Sequence, residues 1–150
     1  ETVIDALYRA SQAGVSVELW VRGICTVKAG VPGLSDNIRV RSTLGRFLEH
    51  SRLFWFANGG QPRVGLGSTD LMHRNLDRRV EVLVSITNPR HIGQIEEWFD
   101  MAFDEGTASW WLEPNGWTQR TADAAGEPLL DMQEALIQAV SARRTPERGA

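Results

Sequence analysis

Lysine, cysteine and tyrosine are nearly missing from this sequence: each occurs once in 150 residues, as Lys28, Cys25 and Tyr8. One cysteine cannot close an internal disulfide, and no C-x-x-C pair or Cys/His ligand spacing is present, which excludes a disulfide scaffold and a zinc module. Cys25 reads as a small apolar residue near a strand end, in keeping with a reducing, cytoplasmic setting. No run reaches the roughly 18 apolar residues that a membrane-spanning helix needs. The chain opens Glu1-Thr2-Val3-Ile4-Asp5, with neither an initiator Met nor the basic start and apolar run of a signal peptide, and it reads as a piece of a longer protein.

With lysine scarce, arginine carries the positive charge, and its placement is uneven. Residues 20–79 hold ten basic side chains (Arg22, Lys28, Arg39, Arg41, Arg46, Arg52, Arg63, Arg74, Arg78 and Arg79) against Asp36, Glu49, Asp70 and Asp77, a net of +6. The remainder holds 6 basic and 15 acidic residues, a net of −9, and the whole chain sums to −3. A basic middle within an acidic chain implies an anionic ligand rather than a generally basic surface. Arginine's planar fork suits bidentate binding of phosphate. No aromatic–basic interleaving or nucleic-acid motif appears, so a nucleic-acid partner is not expected.

The patterning is that of an α/β layered domain. Helical spacing over 2–13 ends at Gly14, and residues 15–22 alternate as a strand closed by Gly23. Residues 28–37 are dense in Pro and Gly and form a loop. Ile38-Arg39-Val40-Arg41 makes a short strand, and residues 44–49 allow a helical turn. Residues 50–57 form an apolar strand, Asn58-Gly59 a hairpin turn, 63–67 the return strand, and 68–79 a polar stretch. Residues 80–86 form the clearest strand and are expected to be buried. Helices follow over 90–104 and 129–142, with a hairpin over 108–120 between them. The expected architecture is one domain, residues 1–142, with a mixed sheet, helices on both faces and a site at strand C-termini; residues 143–150 are expected to be a disordered tail. Trp55, Trp98 and Trp110 lie on apolar faces and read as core, and His73 and His91 read as surface residues.

One spacing carries chemistry. His50-Ser51-Arg52 heads the apolar strand, and Gly67-Ser68-Thr69-Asp70 follows the return strand. The pair resembles the half-motif of the phospholipase D superfamily, His-x-Lys on one strand and Gly-Ser-x-Asn after the next. Two such halves meet at one phosphate in that superfamily. Here Arg52 stands for the Lys, Asp70 for the Asn, and Ala57 for an expected acid.

Longer blocks add to this. Ala6–Val15, Val21–Cys25, Gly30–Ile38, Gly45–Arg52 and Arg74–Glu81 occur in the order found in polyphosphate kinases, and over residues 4–86 the chain resembles their second C-terminal domain. Ala29, Thr43 and Leu71 depart from that pattern, where Pro, Ile and Trp are usual. The resemblance implies a phospholipase D-like fold. It also implies reversible transfer of the terminal phosphate of ATP to polyphosphate through a phosphohistidine on a preceding domain absent here. By the same resemblance His50 is the second active-site histidine and Arg22 contacts nucleotide phosphates. Arg79, Arg52, Ser68 and Asn75 join Arg22 as phosphate- or ATP-binding candidates, with Ser68 or Asn75 alternatively orienting His50. Among Arg74, Arg78 and Arg79 the choice falls on Arg79, because it precedes the apolar strand. Arg39 and Arg41 either line the polyphosphate path or coat a loop. Mg²⁺ is implied with ATP, held by the nucleotide and other domains. The implied partners are ATP, ADP, polyphosphate, the preceding domains and further copies of the chain, in the cytoplasm or at its membrane. Two alternatives stay open: half of a phospholipase D-type phosphodiesterase, or a non-catalytic module that binds polyanions.

Overall fold

A computed structural model describes residues 2–43 and 45–144. The helices are α1 (Thr2–Gln12), α2 (His73–Arg78), α3 (Pro89–Phe103) and α4 (Met132–Arg144). The strands are β1 (Val17–Trp20), β2 (Ile38–Ser42), β3 (Leu53–Phe56), β4 (Arg63–Gly67), β5 (Leu83–Ile86), β6 (Ser109–Glu113) and β7 (Gly116–Arg120). The α/β class is the observed one. The expected mixed sheet is β1-β2-β6-β7, in which β1 and β2 run parallel and the other pairs antiparallel. The remaining strands form a second, antiparallel sheet, β3-β4-β5.

The chain packs as two compact units, one of Glu1–Leu48 with Met101–Ala150 and the other of Glu49–Asp100. No Pro/Gly-rich linker marks either junction, so composition gives no sign of the division.

The first unit is built around the alternation of β1 and β2. Val17 pairs with Ile38 and Leu19 with Val40, so these four share one face. Ile38 and Val40 are almost fully buried and cluster with Val27 and Ala29, under Ile4, Leu7 and Tyr8 of α1. Burial of each aliphatic side chain contributes about 1.5–3 kcal/mol. The Pro/Gly loop between β1 and β2 is tied to α1: the Lys28 amide donates to the Tyr8 hydroxyl at 2.9 Å and the Asn37 side chain to the Ser11 carbonyl at 2.8 Å. Gly33, with φ of 76°, makes the turn in that loop.

Glu18, Arg39 and Arg41 occupy the opposite face. Arg41 is not a loop residue and does not face solvent. It is 2% exposed, donates to the carbonyls of Ala102 (3.4 Å) and Asp104 (2.7 Å), and lies 3.8 Å from the Trp111 ring centroid. Its cation therefore closes the C-terminal end of α3. Arg39 is exposed and pairs with Glu18. Thus α1 covers one face of this sheet and the end of α3 the other.

Two expectations need correction. Residues 45–49 form no helical turn. The stretch 80–86 is not buried: Val80 is fully exposed, and Val82, Leu83 and Val84 lie on the surface. β5 is an edge strand of the three-stranded sheet, and Leu83 and Val84 are exposed there whereas Val64 of the central strand β4 is buried. Within the polar stretch 68–79, His73–Arg78 is helical. The expected tail lies outside the described residues from 145 onward, whereas Arg143 belongs to α4. No helix among the described residues is long and apolar enough to cross a membrane.

Candidate functional site

The hairpin of the second unit brings the two parts of the His/Gly-Ser motif together. β3 and β4 pair through Leu53↔Leu66, and one further bond, from Gly67 N at the end of β4 to the Arg52 carbonyl at 3.0 Å, carries the pairing one residue past the start of β3. His50–Arg52 therefore runs beside Gly67–Asp70. On the other side, Ser68 N donates to the Val82 carbonyl at 3.0 Å. The close approach of that strand makes Gly67 necessary, because a Cβ there would stand 2.6 Å from the Val82 carbonyl oxygen.

Two polar knots sit here. In the first, Arg52 Nε donates to Asp70 Oδ1 at 3.0 Å, and Arg52 Nη1 lies 2.6 Å from both His50 Nδ1 and the His50 carbonyl oxygen. His50 itself is exposed. In the second, Glu81 receives the Ser68 hydroxyl and, at 2.8 Å, the Asn75 side-chain amide. Ser68 Oγ also accepts from Val82 N at 3.1 Å. The hydrogen bonds from Ser68 and then Asn75 hold the Glu81 carboxyl below its ordinary value. Arg79 reaches the same carboxylate only at 3.9 Å and stays largely exposed. Asn75 is 2% exposed, and its Oδ1 has no partner among the described residues.

The site residues read from sequence are thus distributed unevenly. His50, Arg52, Ser68, Asn75 and Arg79 all belong to the second unit. Arg22 belongs to the first, two positions beyond β1, exposed and with its carbonyl accepting the Ser42 hydroxyl at 3.1 Å. Arg52 serves Asp70 and His50, and Ser68 and Asn75 serve Glu81 rather than His50. The preference for Arg79 as neighbour of a buried strand loses its ground, since that strand is exposed, but Arg79 gains another: it is the arginine that pairs with Glu81. Arg74 and Arg78 are exposed on α2. His73 pairs with Asp77 at 2.9 Å along α2, which matches its reading as a surface residue. Trp55, Trp98 and Trp110 are half-buried.

Sequence reasoning offered Glu81 as a partner for Arg78 or Arg79, and the structure pairs it with Arg79; it missed the use of Glu81 as acceptor for Ser68 and Asn75 and the orienting use of Asp70. The signal for the Arg79–Glu81 pair is their spacing, two positions apart, where alternate side chains of an extended segment share a face.

By class, this is an α/β domain that presents an exposed histidine and a buried-edge arginine on a basic hairpin. A family model, the polyphosphate kinase C-terminal domain 2, matches residues 1–133, and the chain belongs to that family. It is 60% identical over 145 residues to a polyphosphate kinase of Streptomyces coelicolor, covering 96% of this chain and 19% of that protein. It is 52% identical over 139 residues to a polyphosphate kinase of Mycobacterium avium, covering 92% and 18%. It also resembles the crystal structure of polyphosphate kinase from Porphyromonas gingivalis, with a TM-score of 0.85 at 31% identity, over 95% of this chain and 22% of that one. The chain therefore spans about a fifth of the length of the relatives it matches.

Proposed function

We propose that this chain supplies one side of the active site of a polyphosphate kinase, which moves the terminal phosphate of ATP reversibly onto polyphosphate. Family membership over residues 1–133 carries the reading, and the exposed His50 among arginines supports it. A phosphohistidine elsewhere in the longer protein holds the phosphoryl group in transit. His50 serves the oxygen that leaves phosphorus or returns to it, as a hydrogen donor. Phosphoryl transfer spreads negative charge over the equatorial oxygens, so catalysis rests on positioning and on positive charge, which Arg22 and Arg79 supply.

ATP, ADP and polyphosphate are the ligands of this reading, and Mg²⁺ accompanies the nucleotide. In this reading the chain's own part in the chemistry falls to His50 and the arginines. The longer protein works as a cytoplasmic homo-oligomer, and this chain by itself does not turn over.

The test uses a longer polyphosphate kinase that carries this chain, supplied with ATP and Mg²⁺. Wild type makes long-chain polyphosphate, and His50→Ala lowers the rate by about 10²-fold or more. Equal polymer from both removes His50 from the chemistry. Polymer from neither overturns the family activity and points to phosphodiester substrates.

A further inference from the structure

The resemblance to a His-x-Lys motif makes Arg52 a phosphate ligand, but the structure gives it different work. Its Nε is held by Asp70 at 3.0 Å, and its Nη1 touches both the His50 ring and the His50 carbonyl at 2.6 Å. Residues 50 and 52 stand two positions apart just ahead of β3, and their contact is direct. Asp70 stands three residues past the end of β4, whose last residue, Gly67, is held to Arg52 by a backbone bond. The Arg52 side chain is only 16% exposed, so this contact belongs to a packed arrangement and not to a freely moving surface arginine.

We propose that Arg52 is a positioning residue that fixes the orientation and tautomer of His50, with Asp70 holding Arg52 in place. The proposal rests on the reading of His50 as a catalytic residue. A guanidinium has five N–H donors and no acceptor. A ring nitrogen in contact with it must therefore be the acceptor, so His50 Nδ1 carries the lone pair and Nε2 carries the proton. Because one guanidinium nitrogen grips both the ring and the backbone carbonyl of the same residue, the ring is fixed relative to its own main chain. The result is an Nε2–H aimed away from Arg52, and His50 acts as a hydrogen-bond donor to a phosphoryl or leaving oxygen. It does not act as a base through Nδ1, which Arg52 occupies. A neutral imidazole N–H that stabilises developing negative charge is an established device of catalysis. The sequence Asp70–Arg52–His50 thus orients a histidine as an Asp–His pair does, with the charge at the ring reversed.

Ring ¹⁵N NMR on this chain reads the tautomer directly, with His73→Gln and His91→Gln used to assign the His50 signals. The wild type is expected to show His50 as one Nε2–H tautomer. Arg52→Met is expected to give a mixture, and Asp70→Asn a partial loss. An Nδ1–H form in the wild type, or a tautomer indifferent to both substitutions, overturns the proposal. In the longer polyphosphate kinase, Arg52→Met is expected to lower kcat on the order of 10²-fold while the KM for ATP moves little. Arg52→Lys keeps the charge but cannot hold Asp70 and His50 at once, so it is expected to recover only part of the rate. A raised KM with kcat kept would make Arg52 a phosphate ligand instead. The two readings fail separately: a tautomer set by Arg52 with His50→Ala fully active removes the catalytic role but keeps the clamp, whereas an inactive His50→Ala with a tautomer indifferent to Arg52 removes the clamp alone.

Discussion

The side chain of Gln133 pairs with the backbone of Phe47 as a strand would: Phe47 N donates to Gln133 Oε1 and Gln133 Nε2 donates to the Phe47 carbonyl, both at 2.8 Å. The residues are 86 positions apart, and Gln133 is 7% exposed. A Cβ at Gly45 would collide with the same Gln133 amide. Gln133→Ala is expected to cost about 1–3 kcal/mol in urea unfolding, because it strands the backbone groups of Phe47. Gly45→Ala is expected to destabilise the wild type by pushing that amide aside, and to cost little in the Gln133→Ala background. Simple additivity of the two changes would show that they do not meet at one point.

A second prediction contrasts two glycines. Gly67→Ala places a methyl group against the Val82 carbonyl and is expected to cost about 1–3 kcal/mol, with loss of amide-exchange protection in β5. Gly93, inside α3, has open space where a Cβ would go. Gly93→Ala is therefore expected to stabilise the protein by about 0.5–1 kcal/mol. Thermal unfolding of both variants checks the opposite signs.

Arg41 provides the third. Burial pushes its guanidinium value down, and the nearby Arg39 adds to the effect, yet an arginine remains charged. Its bonds to the Ala102 and Asp104 carbonyls and its place over Trp111 require a flat, forked cation. Arg41→Lys is expected to lower stability by about 1–2 kcal/mol and Arg41→Ala by about 2–3 kcal/mol. In the longer enzyme, Arg41→Lys is expected to leave the salt dependence of polyphosphate binding as it is. A change in that dependence would return Arg41 to the ligand path.

The fourth concerns acid. Glu81 titrates below its ordinary value in the folded protein because Ser68 and Asn75 donate to its carboxylate. Its contribution to stability is therefore fully present above the ordinary carboxylate value and is lost as pH falls through the lower, folded one. Unfolding measured from neutral pH into the acid range should show that loss in the wild type. In Glu81→Gln the same portion of the curve should flatten, and in Ser68→Ala it should shrink. An unchanged slope in Glu81→Gln would place the acid sensitivity elsewhere.

Much of the fold was legible because local pattern and packing agree. The alternation at Val17–Trp20 and Ile38–Ser42, the Asn58-Gly59 turn and the stripe of α3 all specify what forms. The pairing of His50–Arg52 with Gly67–Asp70 was legible too, since a hairpin turn lay between them. What stayed hidden depends on distant partners. The short helix α2 has no apolar stripe, and its extended N-terminal residue Met72 makes no side-chain cap. Arg41 looks like any strand arginine until the end of α3, 61 residues later, comes over it. Arg52 reads as a ligand in sequence because only geometry shows that Asp70 and His50 occupy its donors.

The first unit is discontinuous, and this bears on how the chain folds during synthesis. A ribosome adds about 5–20 residues per second. Arg41 waits for Asp104, 63 residues later, so roughly 3 to 13 seconds pass before the carbonyl it caps exists. The three-stranded sheet needs nothing beyond Ile86, and hairpins close in microseconds. The three-stranded sheet can thus be in place while β2 still lacks its antiparallel neighbour, and the C-terminal third of the chain arrives last to complete a core that the N-terminal third began.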